Sequence, residues 1–113
     1  MSAFQVWYMR PEFFRNGILG SRKPDPAKLE VTHVHLMDVE VESGFVDAGQ
    51  ALEHIFGLMQ AEDWSPNGEA RDLIRSKGLQ HTSMSVGDVI VDPQSRAHLA
   101  AMFGFDDLGE APS

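Results

Sequence analysis

The stretch from Gln80 to Asp92, reading Gln-His-Thr-Ser-Met-Ser-Val-Gly-Asp-Val-Ile-Val-Asp, restricts the folds open to this chain more than any other. Two extended segments meet in it at a Ser-Val-Gly-Asp corner. Leu79 to Met84 reads as extended chain, Ser85-Val86-Gly87 as a turn or bulge, and Val89-Ile90-Val91 as a short buried strand stopped by Asp92-Pro93. Such a strand needs neighbours and cover, which the rest of the sequence must supply.

The neighbours are readable. Phe4-Gln5-Val6-Trp7-Tyr8-Met9 is aromatic and β-preferring and stops at Arg10-Pro11, which predicts a first strand. Pro11 to Gly17 then suits one or two helical turns, and residues 21–26 read as a polar loop. Glu30 to Glu42 alternates with period two, placing Val31, His33, His35, Met37, Val39 and Val41 on one face. Thr32, Val34, Leu36, Asp38, Glu40 and Glu42 fall on the other, which turns from apolar to acidic after Leu36 and is expected to emerge into water there.

The cover is helical. Ala48, Leu52, Ile55, Phe56 and Met59 recur at helical spacing between Asp47, a suitable N-cap, and Ala61. A second helix is predicted over Pro66 to Lys77, capped by Ser65, with Ala70, Leu73 and Ile74 inward and Gly78 past its end. Asp92-Pro93-Gln94-Ser95 makes a turn; the alanines of residues 96–102 favour helix, but the short connection favours a returning hairpin strand. The hairpin is adopted. The expected fold is α+β, a mainly antiparallel sheet of about four or five strands with two principal helices packed on it. Residues 1–108 are expected to form one compact domain and residues 109–113 a flexible tail.

A chain of 113 residues can bury a core without a metal or disulfide staple, and it has no cysteine. No apolar run approaches the ~20 residues that span a bilayer, and the amino terminus lacks a basic stretch before an apolar core. A cytoplasmic location and no membrane association are expected. Seventeen acidic against nine basic residues give a formal charge of -8, which opposes binding to nucleic-acid phosphates and favours a basic protein partner.

A resemblance spans nearly the whole chain. Tyr8-Met9-Arg10-Pro11-Glu12-Phe13-Phe14, the run from Trp64 to Arg71, Leu73-Ile74-Arg75, Gly78-Leu79, the run from His81 to Val89 and Gly104-Phe105 resemble a family of short uncharacterised bacterial proteins. More distantly, Ser83-Met84-Ser85-Val86-Gly87-Asp88-Val89-Ile90 with the downstream Gly104-Phe105 is similar to YodL-like domains of bacterial and mobile-element proteins. Arg96-Ala97-His98-Leu99 departs from the aromatic-rich strand those domains tend to carry. The resemblance implies a mobile-gene accessory protein, from a gene cassette, plasmid or phage. It implies no reaction and no catalytic residue.

Four histidines could carry chemistry. His33 and His35 share a strand face and, with His81 or His98 as a third ligand, could hold zinc, but no closely spaced ligand cluster supports this beyond His-x-His. Packed, hydrogen-bonded or exposed histidines are the weightier reading, and no metal or other cofactor is expected. Ser83, Ser85, His81 and Asp88 include the side-chain types of a nucleophilic triad without Gly-x-Ser-x-Gly. The plainer reading is a turn motif, Ser83, Ser85, Gly87 and Asp88, in which side chains bond backbone groups and Gly87 fits where a Cβ would obstruct.

Asp38, Glu40 and Glu42 would stand about 7 Å apart along one strand face. That row is either a solvated strand end or a phosphate-like surface for a basic groove. Trp64, in a polar inter-helix loop, and Trp7, beside Tyr8, are the aromatics with the strongest need of a partner or tertiary cover. The sequence thus points to an acidic accessory protein that binds another protein through Trp7, Trp64, Asp38, Glu40 and Glu42, with an anti-defence role as a speculative refinement and a strand-edge homodimer as a further option. Enzyme activity is not expected. The alternative is a small-molecule-binding protein or metal-dependent hydrolase-like enzyme using His33, His35, His81 and Asp88 around a sheet-helix cleft.

Overall fold

The computed structural model describes residues 2–15, 25–41, 48–101 and 104–111. The first strand, β1, runs Ser2–Met9 and gives way at Arg10 to a short helix, α1 (Pro11–Arg15), which opens on the proline. Asp25 accepts a hydrogen bond from the Ala27 amide and caps a 3-10 turn, Pro26–Lys28, that continues into α2 (Leu29–Thr32). Strand β2 (His33–Val41) follows, then α3 (Ala48–Leu58), α4 (Ala61–Trp64) and α5 (Arg71–Ser76). Strands β3 (Val89–Val91), β4 (Arg96–Ala100) and β5 (Phe105–Glu110) complete an α+β fold. The sheet has five strands in the order β2-β1-β3-β4-β5, and every neighbouring pair is antiparallel.

Residues opposite one another in an antiparallel ladder share a face, so the register assigns the two sides. Phe4, Val6 and Tyr8 oppose Val39, Met37 and Val34, and Val6 also opposes Ile90. This face carries the main core, closed by Ala51, Leu52, Ile55 and Met59 of the α3 segment and by Ala70, Ile74, Leu79 and Met84. On the other face, Leu29 covers Val89, Val91, Ala97 and Leu99, with Ala111 at the margin. That second cover lies over β3 and β4. At the β1–β2 end of the same face, Ala3, His35, Asp38 and Glu40 are exposed and Gln5 and Trp7 are half-buried.

The long alternation predicted over residues 30–42 is broken twice. Glu30, Val31 and Thr32 are helical, because the capped turn at Asp25-Pro26 propagates as far as Thr32. Further on, the ladder skips Leu36 between the pairs Trp7↔His35 and Val6↔Met37, a β-bulge. Strict alternation would have placed Asp38 and Glu40 beside Val34, beneath the helices. The bulge instead moves Met37, Val39 and Val41 into register with the main core and sends both carboxylates to the face of His35.

Other expectations are also amended. The helix predicted over 66–77 is helical only from Arg71 to Ser76, because the chain turns through Pro66 to Ala70 first. Ser65 accepts from the Ala70 amide at 2.9 Å, and Leu73 is 36% exposed while Ala70 and Ile74 are buried. The helix predicted from Asp47 to Ala61 ends at Leu58, where the Gln60 amide group donates to the Phe56 and Met84 carbonyls and the chain restarts as α4. Gly109 and Glu110, expected in a flexible tail, pair in β5, and the Ala111 amide donates to the Ser95 carbonyl at 2.7 Å. Residues 96–100 form the strand of a β3–β4 hairpin. Its turn is held by Asp92, whose carboxylate accepts from the Gln94 and Arg96 amides. Glu42, Asp47 and residues 16–24, 102–103 and 112–113 lie outside the described residues.

Candidate functional site

The Ser-Val-Gly-Asp corner closes around a carboxylate withdrawn from water. Asp88 is 0% exposed. Its Oδ1 accepts from the Met9 amide at 2.8 Å, and its Oδ2 accepts from the Ser85 amide at 2.8 Å and from His81 Nε2 at 2.9 Å. Its backbone is held as well, since the Ala100 amide donates to the Asp88 carbonyl at 2.9 Å. The side chain therefore joins the end of β1 to the corner and to His81, while the backbone of the same residue joins the corner to β4. Gly87 makes the corner at φ 103°, a conformation that L side chains avoid. Its amide donates to the Ala100 carbonyl.

Around this carboxylate the imidazole of His81 stacks on the buried Tyr8 ring, with centroids 4.5 Å apart and planes 13° from parallel. The Tyr8 hydroxyl donates to the Thr82 carbonyl at 2.7 Å, and the Trp64 indole donates to the same carbonyl at 3.0 Å. Burial first, and then the Asp88 charge, push the Tyr8 phenol far above its ordinary range.

His33, 1% exposed, approaches from the start of β2. Its Nε2 lies 2.7 Å from the Gly87 carbonyl, which can only accept, so Nε2 carries a proton; Nδ1 lies 2.7 Å from the Thr32 hydroxyl. Burial lowers its pKa, outweighing the Gly87 carbonyl and Asp88, which favour the cation, while Arg10 and His81 oppose the cation further. The stability linked to this proton is therefore fully present above the unfolded value of about 6.5 and is lost as pH falls below it, by at most about 1.4 kcal/mol per pH unit. The urea midpoint of the wild type should fall between pH 7 and pH 5 as His33 is forced to charge. A His33→Gln chain should show a shallower fall over the same interval, and an equal fall would refute the assignment.

The serines have other duties here. Ser83 Oγ accepts the Ala61 amide, and Ser85 Oγ donates its proton to the Ser83 carbonyl. A nucleophile must surrender that proton to a base, whereas Ser85 surrenders it to the backbone. The corner can anchor chain segments, and its hydroxyls are arranged for that. Among the described residues, no side-chain nitrogen or oxygen buried from solvent lacks a hydrogen-bond partner.

The histidines separate into three places. His33 and His81 come together at the corner, His33 against the Gly87 carbonyl and His81 against the Asp88 carboxylate. His35 shares the strand face of His33, as the pairs Met9↔His33 and Trp7↔His35 require, but it is engaged by Trp7 and Asp38 two residues further along β2, and His98 donates through Nε2 to Asp92 at 2.8 Å beside the hairpin turn. No group of three or more His, Cys, Asp or Glu among the described residues is placed to hold a metal ion. A sheet-helix concavity does exist, but of the four histidines only His98 lines it, together with Leu52, Glu53 and Phe105.

The exposed face at β1–β2 gathers three of the proposed binding residues. Trp7 stacks on His35 at 5.1 Å and 19°, and His35 Nε2 donates to Asp38 Oδ1 at 2.7 Å. The indole nitrogen of Trp7 donates to Gln5 Oε1, which fixes the ring along the sheet. Glu40 continues the row on the exposed side of the strand. Trp64 does not belong to this surface, because its ring packs against the main core and its N–H is spent on Thr82. The stacking of Trp7 on His35 could not be read from the sequence, because it is made between β1 and β2.

Among the described residues no helix is long and apolar enough to cross a membrane. No protein-family model, no curated protein and no solved structure matches the chain.

Proposed function

We propose that this chain acts by binding a basic protein partner on the β1–β2 end of the sheet face opposite α3 and α5. The observation that carries the reading is the Trp7–His35–Asp38 arrangement: a half-buried indole stacked on an exposed imidazole that is held by a carboxylate, with Glu40 beyond it. A fixed aromatic ring offers large apolar area at little entropic cost, and tryptophan is enriched among residues that dominate interface energetics. Two carboxylates beside it, on a chain of formal charge -8, favour a lysine- or arginine-rich partner and speed its approach.

No cofactor enters this reading. The narrower version, a mobile-element accessory protein presenting carboxylates in place of nucleic-acid phosphates, rests on the sequence resemblance and on the charge. Self-association through a strand edge is the weaker arrangement: the bulge at Leu36 makes β2 irregular, and Asp106, Asp107 and Glu110 place negative charge along β5. The enzyme alternative built on His33, His35, His81 and Asp88 is disfavoured because His35 is engaged by Trp7 and Asp38 rather than at the corner, and of the candidate histidines only His98 lines the sheet-helix concavity.

The test is capture from host lysate at low and high salt by the wild type, by Trp7→Ala and by Asp38→Asn/Glu40→Gln, with mass spectrometry of the captured proteins and of the intact bait. The expected result is one basic protein retained at low salt, released at high salt and lost from Trp7→Ala, whose cost should be about 2 kcal/mol or more. A protein held equally by all three baits would contradict this surface. Stoichiometric extra mass on the bait, with no protein captured, would contradict protein binding itself.

A further inference from the structure

We propose that the concavity between α5 and the extended chain after it binds the phosphoryl group of a small phosphate monoester. It measures about 390 Å³ and is lined by Arg71, Ile74, Arg75, Leu79, Gln80 and Thr82. The site is separate from the protein-binding face and does not depend on it.

The chain reversal after α5 builds the concavity. Gly78, at φ 72°, accepts the left-handed conformation that ends the helix, while its amide donates to the Arg75 carbonyl and the Leu79 amide to the Ile74 carbonyl. That pair of bonds is the Schellman arrangement, and it returns the chain alongside the helix it has just left. Ile74 and Leu79 are buried and form a fixed apolar floor. Thr82, whose carbonyl is pinned by Tyr8 and Trp64, lines the concavity together with Gln80.

Arg71 and Arg75 are four residues apart and therefore share one face of α5. Neither guanidinium has a hydrogen-bond or ion-pair partner among the described residues, in contrast to Arg96, which grips Asp107, and Arg10, which donates to the Glu30 carbonyl. Glu69, the nearest acid before the helix, accepts the Asn67 amide, and neither it nor Asp72 lines the concavity. The Arg71 guanidinium lies over Gly68, Arg75 is one turn further along the helix, and both line the concavity without an ion-pair partner among the described residues.

A phosphoryl dianion answers that arrangement better than a carboxylate does. It brings up to two charges and three terminal oxygens to two guanidinium forks, whereas one fork already satisfies a carboxylate. Gln80 and Thr82 add neutral donors, and the Ile74–Leu79 floor can take the carbon of an ester. A long polyanion is a poorer fit, because the remaining surface of a chain with formal charge -8 repels it.

The experiment is a titration of the intact chain with inorganic phosphate, phenyl phosphate and acetate at matched ionic strength, following the arginine Nε–H resonances by NMR. Saturable shifts are expected at Arg71 and Arg75 and not at Arg96, with phosphate binding about tenfold tighter than acetate and phenyl phosphate tighter still. Arg71→Gln and Arg75→Gln should each weaken phosphate by about tenfold, and Lys77→Gln should leave it unchanged. Linear shifts, an equal response to acetate, or undiminished binding in both arginine variants would overturn the site. Phenyl phosphate binding no tighter than inorganic phosphate would overturn the assignment to a monoester.

Discussion

Replacing Asp88 by alanine is expected to destabilise the fold by about 4 kcal/mol, the largest effect of any substitution considered for this chain. The reasoning is one of orphaned donors. Removing the carboxylate strands the Met9 and Ser85 amides and His81 Nε2 around a group that is fully buried. Each buried donor left without a partner costs about 1–3 kcal/mol, less what a water can recover by entering the space. Against a total stability of about 5–15 kcal/mol for a small domain, the loss would bring the chain close to unfolding and lower its melting temperature by about 20 °C. Asp88→Asn keeps the shape but presents an N–H₂ group where only acceptors fit, so about 2 kcal/mol should be lost. Urea unfolding followed by circular dichroism measures both. A loss below about 1 kcal/mol for the alanine chain would mean that water replaces the carboxylate and that the side chain does not hold the end of β1 to the corner.

Alkaline unfolding should be coupled to the ionisation of one phenol. The chain has a single tyrosine, so phenolate absorbance reports Tyr8 alone. Burial and the Asp88 charge keep that phenol protonated in the folded state, while the unfolded chain ionises near pH 10. The folded pKa is raised, so the linked stability is complete below about pH 10 and is lost above it at about 1.4 kcal/mol per pH unit. By about pH 12 the loss approaches 3 kcal/mol. Phenolate absorbance should therefore rise together with loss of the near-ultraviolet signal of the folded state. Tyr8→Phe gives up the hydrogen bond to Thr82, at a cost of about 1 kcal/mol at neutral pH, but should unfold less steeply with alkali. A phenolate signal that appears near pH 10 in a chain still folded would contradict the burial of Tyr8 beside Asp88.

The sequence exposed the local parts of this fold and concealed the long-range ones. Gly87 and Asp88 were readable as a turn because glycine and aspartate have local backbone uses there, and Asp88 does bond the Ser85 amide. Nothing local connects Asp88 to Met9, 79 residues away, or Tyr8 to Thr82, 74 residues away. The bulge in β2 was hidden by an alternation that looked unbroken; its trace was the acidic turn of one face after Leu36, beside three aliphatic residues on the other. Strand β5 contains Asp106, Asp107 and Gly109, poor strand formers, and owes its form to pairing with β4 and to the Arg96–Asp107 bridge. The binding face was half legible. Trp7, Asp38 and Glu40 were singled out separately, but their gathering around His35 depends on the strand register and the bulge.

Hydrogen–deuterium exchange of the chain with and without its captured partner tests the central claim most directly. The account predicts slower exchange on complex formation within residues 3–9 and 35–41, the β1–β2 end of the sheet, with residues 81–88 unchanged. Protection centred on α5 or the Ser-Val-Gly-Asp corner, with β1 and β2 unaffected, would contradict it and move the interface elsewhere on the fold.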